Sequence, residues 1–134
     1  MTPAIQQRVE FHAPPARLFT LYMDSRQHSA ATRAKAVVGK KVGGKFSAFG
    51  GMITGKMLAI VPNRLIVQSW RAKHWKRTDL DSILVLTFSR TRGGARIDLV
   101  HVNVPEHDHD GVTRGWESYY WKPWQVYLEQ AAAR

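Results

Sequence analysis

The sequence predicts an α+β domain in which a curved antiparallel sheet of about six or seven strands packs against a long C-terminal helix. Three observations lead to this class. One strand and two short helices come first, a run of apolar stretches separated by turn signals follows, and the chain closes with an aromatic stripe at helical spacing. With 134 residues, of which 44% are hydrophobic and 22% charged, residues 1–134 are expected to form one domain with an ordinary core.

The first elements are a strand and two helices. Residues 4–12 alternate apolar and polar side chains and predict a strand. Pro14-Pro15 ends it and opens a helix over 15–23, because proline suits a first helical position. The polar stretch 24–33 predicts a short second helix.

Strands dominate the middle of the chain. They are predicted at 35–38, 45–49, 52–61, 64–71, 81–90 and 95–104. Three glycine pairs (43–44, 50–51 and 93–94) and Pro62-Asn63 mark turns between them, since these residues adopt the backbone angles of tight turns. The result is a meander of about six antiparallel strands.

A helix over 112–133 is predicted to close the chain, with Thr113 as its cap. Its buried stripe consists of Trp116, Tyr120, Trp124, Tyr127 and Ala131. Pro123 removes a backbone hydrogen bond within this helix, so a bend is expected there.

Basic residues are concentrated in one part of the chain. The net charge is +10, and between Asp24 and Asp79 there are twelve basic residues and no acidic one. This excess indicates either a surface for an anionic partner, such as an acidic protein, or a surface that only aids solubility. Nucleic acid is not expected as a partner, because neither zinc-finger spacing nor an aromatic RNA-binding signature is present.

Hairpin geometry predicts where this charge lies. Alternate turns of a meander share one end of the sheet, so turns 39–44, 61–64 and 90–95 should form a basic tip. Its residues are Lys40, Lys41, Lys45, Arg64, Arg90, Arg92 and Arg96. Loops 71–80 and 104–112 should form a mixed, histidine-rich tip at the other end.

Three segments carry a resemblance to a known family. They are KVGGKFSAFGGMITGKMLAIVPNRLIVQSWR (41–71), GGARIDL (93–99) and GWESYYWKPWQVYLEQ (115–130). Together with the element order, they resemble the C-terminal domain of activators of the ninety-kilodalton heat-shock-protein ATPase, the Aha type, over 5–128. That family belongs to the START-like SRPBCC superfamily. The resemblance implies the helix-grip fold and a hydrophobic ligand held between sheet and helix, and the family name implies a chaperone partner.

Strand alternation predicts which side chains line such a cavity. They are Ile66, Gln68, Trp70, Leu84, Leu86, Phe88, Leu99, His101, Trp116, Tyr120 and Trp124. Gln68, His101 and Asn103 are its expected polar groups. The alternative is that Gln68 and His101 bond to each other or to backbone, and that the aromatic stripe is ordinary core.

The sequence excludes some chemistry and leaves three hypotheses for function. It has no cysteine and no catalytic or nucleotide-binding motif, so no cofactor is expected. The segment EHDHD (106–110) matches no metal motif and is expected, like His74-Trp75, to lie in a surface loop. No apolar run could span a membrane and no signal core is present, which predicts a cytoplasmic protein. The first hypothesis is a non-enzymatic binding domain for a small hydrophobic molecule. The others are a protein-interaction module with a basic surface, of the chaperone-activator kind, and a cyclase- or hydrolase-like enzyme acting in the same cavity. For that enzyme no catalytic residue is predicted, and His101 is only a candidate general base without a partner in the sequence.

Overall fold

The computed structural model describes residues 2–132 as a seven-stranded antiparallel sheet, with two short helices between its first two strands and a long helix after the last strand. The elements are β1 (Ile5–Phe11), α1 (Pro15–Met23), α2 (Ser25–Thr32), β2 (Val37–Val38), β3 (Lys45–Ala48), a 3-10 turn (Phe49–Gly51), β4 (Ile53–Val61), β5 (Leu65–Ala72), β6 (Ser82–Thr91), β7 (Gly94–Val102), α3 (Glu106–Trp116), a π-helical turn (Glu117–Trp121) and α4 (Lys122–Ala132). The last three form one helix of 27 residues. The predicted α+β class is confirmed.

The sheet order is β1-β7-β6-β5-β4-β3-β2, so β2 to β7 form a meander and β1 adds to its far edge beside β7. Alternate residues of β5, β6 and β7 face inward and are buried, as Leu84, Leu86 and Phe88 show on β6. The inner face carries the core, and the helices pack against it. A register shift between Met57 and Ala59 bulges β4 at Leu58.

Local signals explain the two short helices. Pro15 occupies the first turn of α1, where its missing N–H is not needed. Asp24 caps α2 by accepting a hydrogen bond from the Gln27 backbone N–H at 3.0 Å. Arg33 ends α2 in the left-handed conformation, with φ of 60°.

The C-terminal helix begins six residues earlier than predicted, at Glu106. The expectation of a loop over 106–110 was therefore wrong, as was the Thr113 cap. Thr113 donates instead to the His109 carbonyl at 2.7 Å, and Pro105 is the capping residue. Glu106 and Asp108 favour this start, because carboxylates in a first turn complement the helix dipole.

The feature near Pro123 is a π-helical turn rather than a simple bend. In it, the Lys122 N–H donates to the Glu117 carbonyl, five residues earlier. This wider turn brings Trp121 into the core beside Tyr120, where a regular helix would turn it away. Trp121 stacks on Trp116 with ring centroids 5.6 Å apart.

Among residues 2–132, no helix has both the length and the apolar character needed to cross a membrane.

Candidate functional site: an apolar cleft beside the C-terminal helix

An apolar cleft of about 390 Å³ opens between one end of the sheet and α3. The 3-10 turn and the adjacent ends of β4 and β5 form one wall, and α3 with the π-helical turn forms the other. The lining residues are Phe49, Met52, Ile53, Trp70, Ala72, His74, Asp108, Gly111, Val112, Gly115, Trp116, Tyr119 and Tyr120. The cleft thus lies between sheet and helix, but at the edge of the core.

Two glycines of α3, one helical turn apart, form part of the helical wall. A Cβ at Gly115 would meet Tyr119 carbon atoms no closer than 3.5 Å, which is ordinary contact. A Cβ at Gly111 would lie 2.9 Å from Asp108 Oδ1 and would push that carboxylate aside. Glycine inside a helix costs roughly 0.5–1 kcal/mol relative to alanine. Helix propensity therefore explains neither residue: a side chain at Gly111 would collide with the Asp108 carboxylate, whereas the space beside Gly115 is open.

The mouth of the cleft is aromatic. Phe49 adopts φ of 53°, a left-handed conformation that strains a residue with a large side chain. In this position its ring packs edge-on against Tyr119 and Tyr120, at centroid distances of 5.7 and 5.5 Å. Tyr119 itself is exposed.

Asp108 supplies the polar group at the rim. Its Oδ2 accepts a hydrogen bond from Trp75 Nε1 at 2.7 Å and lies 3.1 Å from His74 Nε2. The prediction of a surface position for Trp75 was wrong, because Trp75 is buried and packs against Trp70. A second contact, His107 Nε2 to Asp79 Oδ2 at 2.8 Å, joins the same loop to α3. The His107 hydrogen bond lowers the pKa of Asp79.

Only three of the eleven side chains predicted to line the cavity do so: Trp70, Trp116 and Tyr120. The other eight are buried in the filled core between sheet and helix: Ile66, Gln68, Leu84, Leu86, Phe88, Leu99, His101 and Trp124. Their side chains point to the interior, as the alternation along the strands predicts, but other side chains of the core pack directly against them. Asn103, also predicted to face the cavity, is exposed and donates to the Asp81 carbonyl at 3.1 Å.

His101 has both ring nitrogens bonded within the protein. Trp116 Nε1–H donates to His101 Nδ1 at 3.2 Å, so the ring hydrogen belongs on Nε2. Nε2 then donates to Ser82 Oγ at 2.8 Å, and that hydroxyl donates to the Trp70 carbonyl at 2.6 Å. Burial, and secondarily the charge of His109, lowers the pKa of His101 to about 3. His101 is therefore a neutral core residue, and this arrangement offers no support for a role as base.

Gln68 belongs to a second buried network, which sequence reasoning missed. Gln68 Oε1 accepts a hydrogen bond from the Tyr22 hydroxyl. His28 Nδ1 donates to the Tyr22 carbonyl at 2.8 Å, and its Nε2 accepts from the Tyr120 hydroxyl at 2.9 Å. Burial lowers the pKa of His28 to about 4, despite the opposing hydrogen bond to Tyr22, and raises that of Tyr120. Because α2 looks polar in sequence, nothing there marked His28 as buried.

The seven residues predicted to form a basic tip lie in three different places. Arg64, Arg90 and Arg92 lie in or beside the turns at one end of β4 to β7. Loop 39–44 pairs instead with the middle of β4, where the Gly43 N–H donates to the Met57 carbonyl at 2.7 Å. Lys45 faces Lys56, five residues before β4 ends at Val61, so Lys45 lies about 17 Å short of the β4–β5 turn, and Lys40 and Lys41 lie in the loop that precedes it. Arg96 lies on β7 and pairs with Asp98 at 3.1 Å.

Within residues 2–132, no group of three or more histidine or acidic side chains is arranged to hold a metal ion. The histidines of 106–110 engage separate partners: His107 contacts Asp79, and His109 contacts the Pro3 carbonyl at 2.9 Å.

Comparison with known proteins places this geometry in a family. The family described as "Activator of Hsp90 ATPase homolog 1-like protein" matches residues 12–129. Human Activator of 90 kDa heat shock protein ATPase homolog 1 is 27% identical over 121 residues, covering 90% of this chain and 36% of that protein. The Dictyostelium discoideum homolog is 26% identical over 117 residues, covering 87% of this chain and 30% of that protein. The chain thus spans about a third of the length of these curated relatives.

Solved structures agree on the fold. The crystal structure of an HSP90 activator from Plasmodium falciparum superposes with a TM-score of 0.86 at 27% identity, covering 96% of this chain and 97% of that one. A Mesorhizobium loti protein superposes with a TM-score of 0.83 at 18% identity, covering 96% and 98%. The fold is therefore the START-like helix grip, and the chain belongs to the family of Activator of Hsp90 ATPase homolog 1-like proteins.

Proposed function

We propose that this chain is a binding domain for a small, largely apolar molecule, held in the cleft between the sheet end and α3. The cleft volume, about 390 Å³, falls within the range of roughly 300–1,000 Å³ usual for small-molecule sites. Its walls are mostly aromatic and aliphatic, and Asp108 and His74 contribute polar groups at the rim. That combination suits a ligand with an apolar body and one polar end.

The glycine pair of α3 is the observation that carries this proposal. Together, Gly111 and Gly115 cost roughly 1–2 kcal/mol of helix stability relative to alanine. This cost is a substantial fraction of the total stability of a domain, which is only about 5–15 kcal/mol. Both residues line the cleft, where larger side chains would fill it. Gly115 keeps space open in the cleft, and Gly111 leaves room for the Asp108 carboxylate at its rim.

The proposal is tested with Nile red, a neutral apolar dye that brightens in apolar surroundings. Wild-type protein should bind it at about one site per chain, and Gly115→Leu, which places an isobutyl group in the cleft, should abolish binding. Arg114→Leu is the matched control, because it adds the same side chain at an exposed position of the same turn. Equal dye binding by all three proteins would contradict the proposal. Independently of the dye, native mass spectrometry of the wild type identifies any small molecule that the protein retains from the cells.

A second candidate function is the activation of a chaperone ATPase. The relatives named above as activators of the 90 kDa heat-shock-protein ATPase favour it, and the net charge of +10 suits an acidic partner. The test measures the ATPase rate of the 90 kDa heat shock protein from the same cells with and without this chain. A rate that does not change at saturating concentration would remove this candidate.

A further inference from the structure

The outer face of the sheet carries an aliphatic patch that no helix of residues 2–132 covers. Val67, Val85 and Val100 lie directly opposite one another on β5, β6 and β7. They alternate with buried residues, so they point away from the core. Three adjacent valines across three strands are unusual for a face in contact with water, where polar residues normally alternate with the core positions.

The patch extends in both strand directions. The same register places Leu65 on the outer face of β5 and pairs Ile83 with Val102 on β6 and β7. On β4, the bulge residue Leu58 is 46% exposed and Val61 is 43% exposed. We call these eight aliphatic residues the outer patch: Leu58, Val61, Leu65, Val67, Ile83, Val85, Val100 and Val102. Leu58, Val61 and Val102 are exposed and the other five are half-buried. Contiguous apolar surface that water reaches in this way marks interaction sites.

Two lysines border the outer patch on one side. Lys45 and Lys56 are direct cross-strand partners on β3 and β4, and both are exposed on the outer face. Like charges in this position destabilise a sheet. Neither lysine forms an ion pair with any of the described residues, and no acidic residue occurs between Asp24 and Asp79. Local stability therefore does not explain the pair.

The opposite border of the patch is balanced in charge. There Asp98 pairs with both Arg8, at 2.9 Å, and Arg96, at 3.1 Å, and Arg96 faces Glu10 across the strands. Uncompensated positive charge on this face is thus located beside β3 and β4. A segment that covers the patch would need apolar side chains at its centre and carboxylates near the two lysines.

We propose that the outer patch, with Lys45 and Lys56, docks an acidic amphipathic segment of another protein, in which aliphatic side chains alternate with carboxylates. A second copy of this chain is a poor occupant, because each copy carries a net charge of +10. The inference does not depend on a ligand in the cleft. If this chain activates a chaperone ATPase, the outer patch is a surface through which that chaperone could be bound, and to this extent the inference rests on the second candidate function.

The test selects 12-residue peptides from a random phage-displayed library on the wild type. Counter-selection uses the variant Val67→Thr/Val85→Thr/Val100→Thr, since threonine keeps the β-branched shape and places a hydroxyl at each site. Enriched peptides should combine aliphatic residues with aspartate or glutamate. A synthesised consensus peptide should then shift the NMR methyl signals of Val67, Val85 and Val100. Circular dichroism and thermal unfolding establish that each variant is folded.

The affinity of that peptide for different variants distinguishes the contribution of the valines from that of the two lysines. The valine variant should bind about tenfold more weakly, as expected when apolar contact is replaced by hydroxyls. Lys45→Gln/Lys56→Gln should weaken binding and flatten its salt dependence, because the two charges are lost. The control Lys73→Gln/Lys76→Gln removes equal charge from the β5–β6 loop and should bind as the wild type does.

Several results would overturn the proposal: no enrichment over the counter-selecting variant, enriched peptides without acidic residues, or peptide-induced shifts in the cleft instead of on the patch. Concentration-dependent dimerisation that the valine variant abolishes would also overturn it, because the occupant would then be a second copy. Nile red binding distinguishes the proposal for the cleft from the proposal for the outer patch. The outer-patch variants should leave it unchanged, so failure of the cleft and failure of the patch give different results.

Discussion

The two buried histidines predict that this protein loses stability in mild acid. The folded-state pKa is about 4 for His28 and about 3 for His101, whereas histidine in an unfolded chain titrates near pH 6.5. The unfolded chain therefore binds more protons as the pH falls. This stabilising contribution is complete above about pH 6.5 and is lost progressively as the pH falls, down to about 4 for His28 and about 3 for His101.

The magnitude follows from these pKa values. Between pH 7 and pH 5, each histidine that stays neutral in the fold lowers the free energy of unfolding by about 2 kcal/mol, or about 4 kcal/mol together. That is a large part of the roughly 5–15 kcal/mol available to a domain. Urea unfolding at several pH values, followed by tryptophan fluorescence, measures this difference directly.

Variants assign the loss to individual residues. His28→Gln retains a donor for the Tyr22 carbonyl and an acceptor for the Tyr120 hydroxyl, and it should halve the difference between pH 7 and pH 5. The control His12→Gln removes an exposed histidine and should leave the difference as in the wild type. A wild-type difference of about 1 kcal/mol or less, or the same difference in His28→Gln, would contradict the low pKa values of the two buried histidines.

Three further outcomes are expected from urea unfolding at pH 7. Gly115→Ala should raise the free energy of unfolding by about 0.5–1 kcal/mol, because it fits without a clash and removes glycine from a helix; a loss would show that the space is not free. Trp124→Ala should cost about 3–5 kcal/mol, since Trp124 is fully buried; a cost below about 1 kcal/mol would contradict the described packing. Lys56→Gln should raise stability by about 0.2–1 kcal/mol by relieving repulsion from Lys45, and any clear loss would argue against that repulsion.

The fold was largely predictable because turn chemistry and periodicity are local signals. Glycine pairs and Pro62-Asn63 placed the hairpins close to where they occur. The start of the last helix was not predictable, because EHDHD contains no apolar residue that would reveal a helical period. Burial of Trp121 was missed for a different reason: it depends on the π-helical turn, which shifts the buried face by one residue.

The site was harder to predict than the fold. Alternation shows which way a side chain of β5 or β7 points, but it does not show whether space remains in front of it. For Gln68 and His101 that space is filled by Tyr22 and Trp116, which come from distant helical segments. The open space lies instead beside Gly115, and the sequence signal that could have found it was the glycine spacing within a helix.

Following the ¹⁵N amide signals during titration with Nile red shows directly whether the cleft holds an apolar molecule. If the dye binds in the cleft, the amides of Gly111 and Gly115 and the indole N–H of Trp116 should shift together along one saturating curve, while the amides of Val85 and Val100 stay in place. Absence of any shift up to the solubility limit of the dye, or shifts confined to the outer face of the sheet, would contradict binding in the cleft.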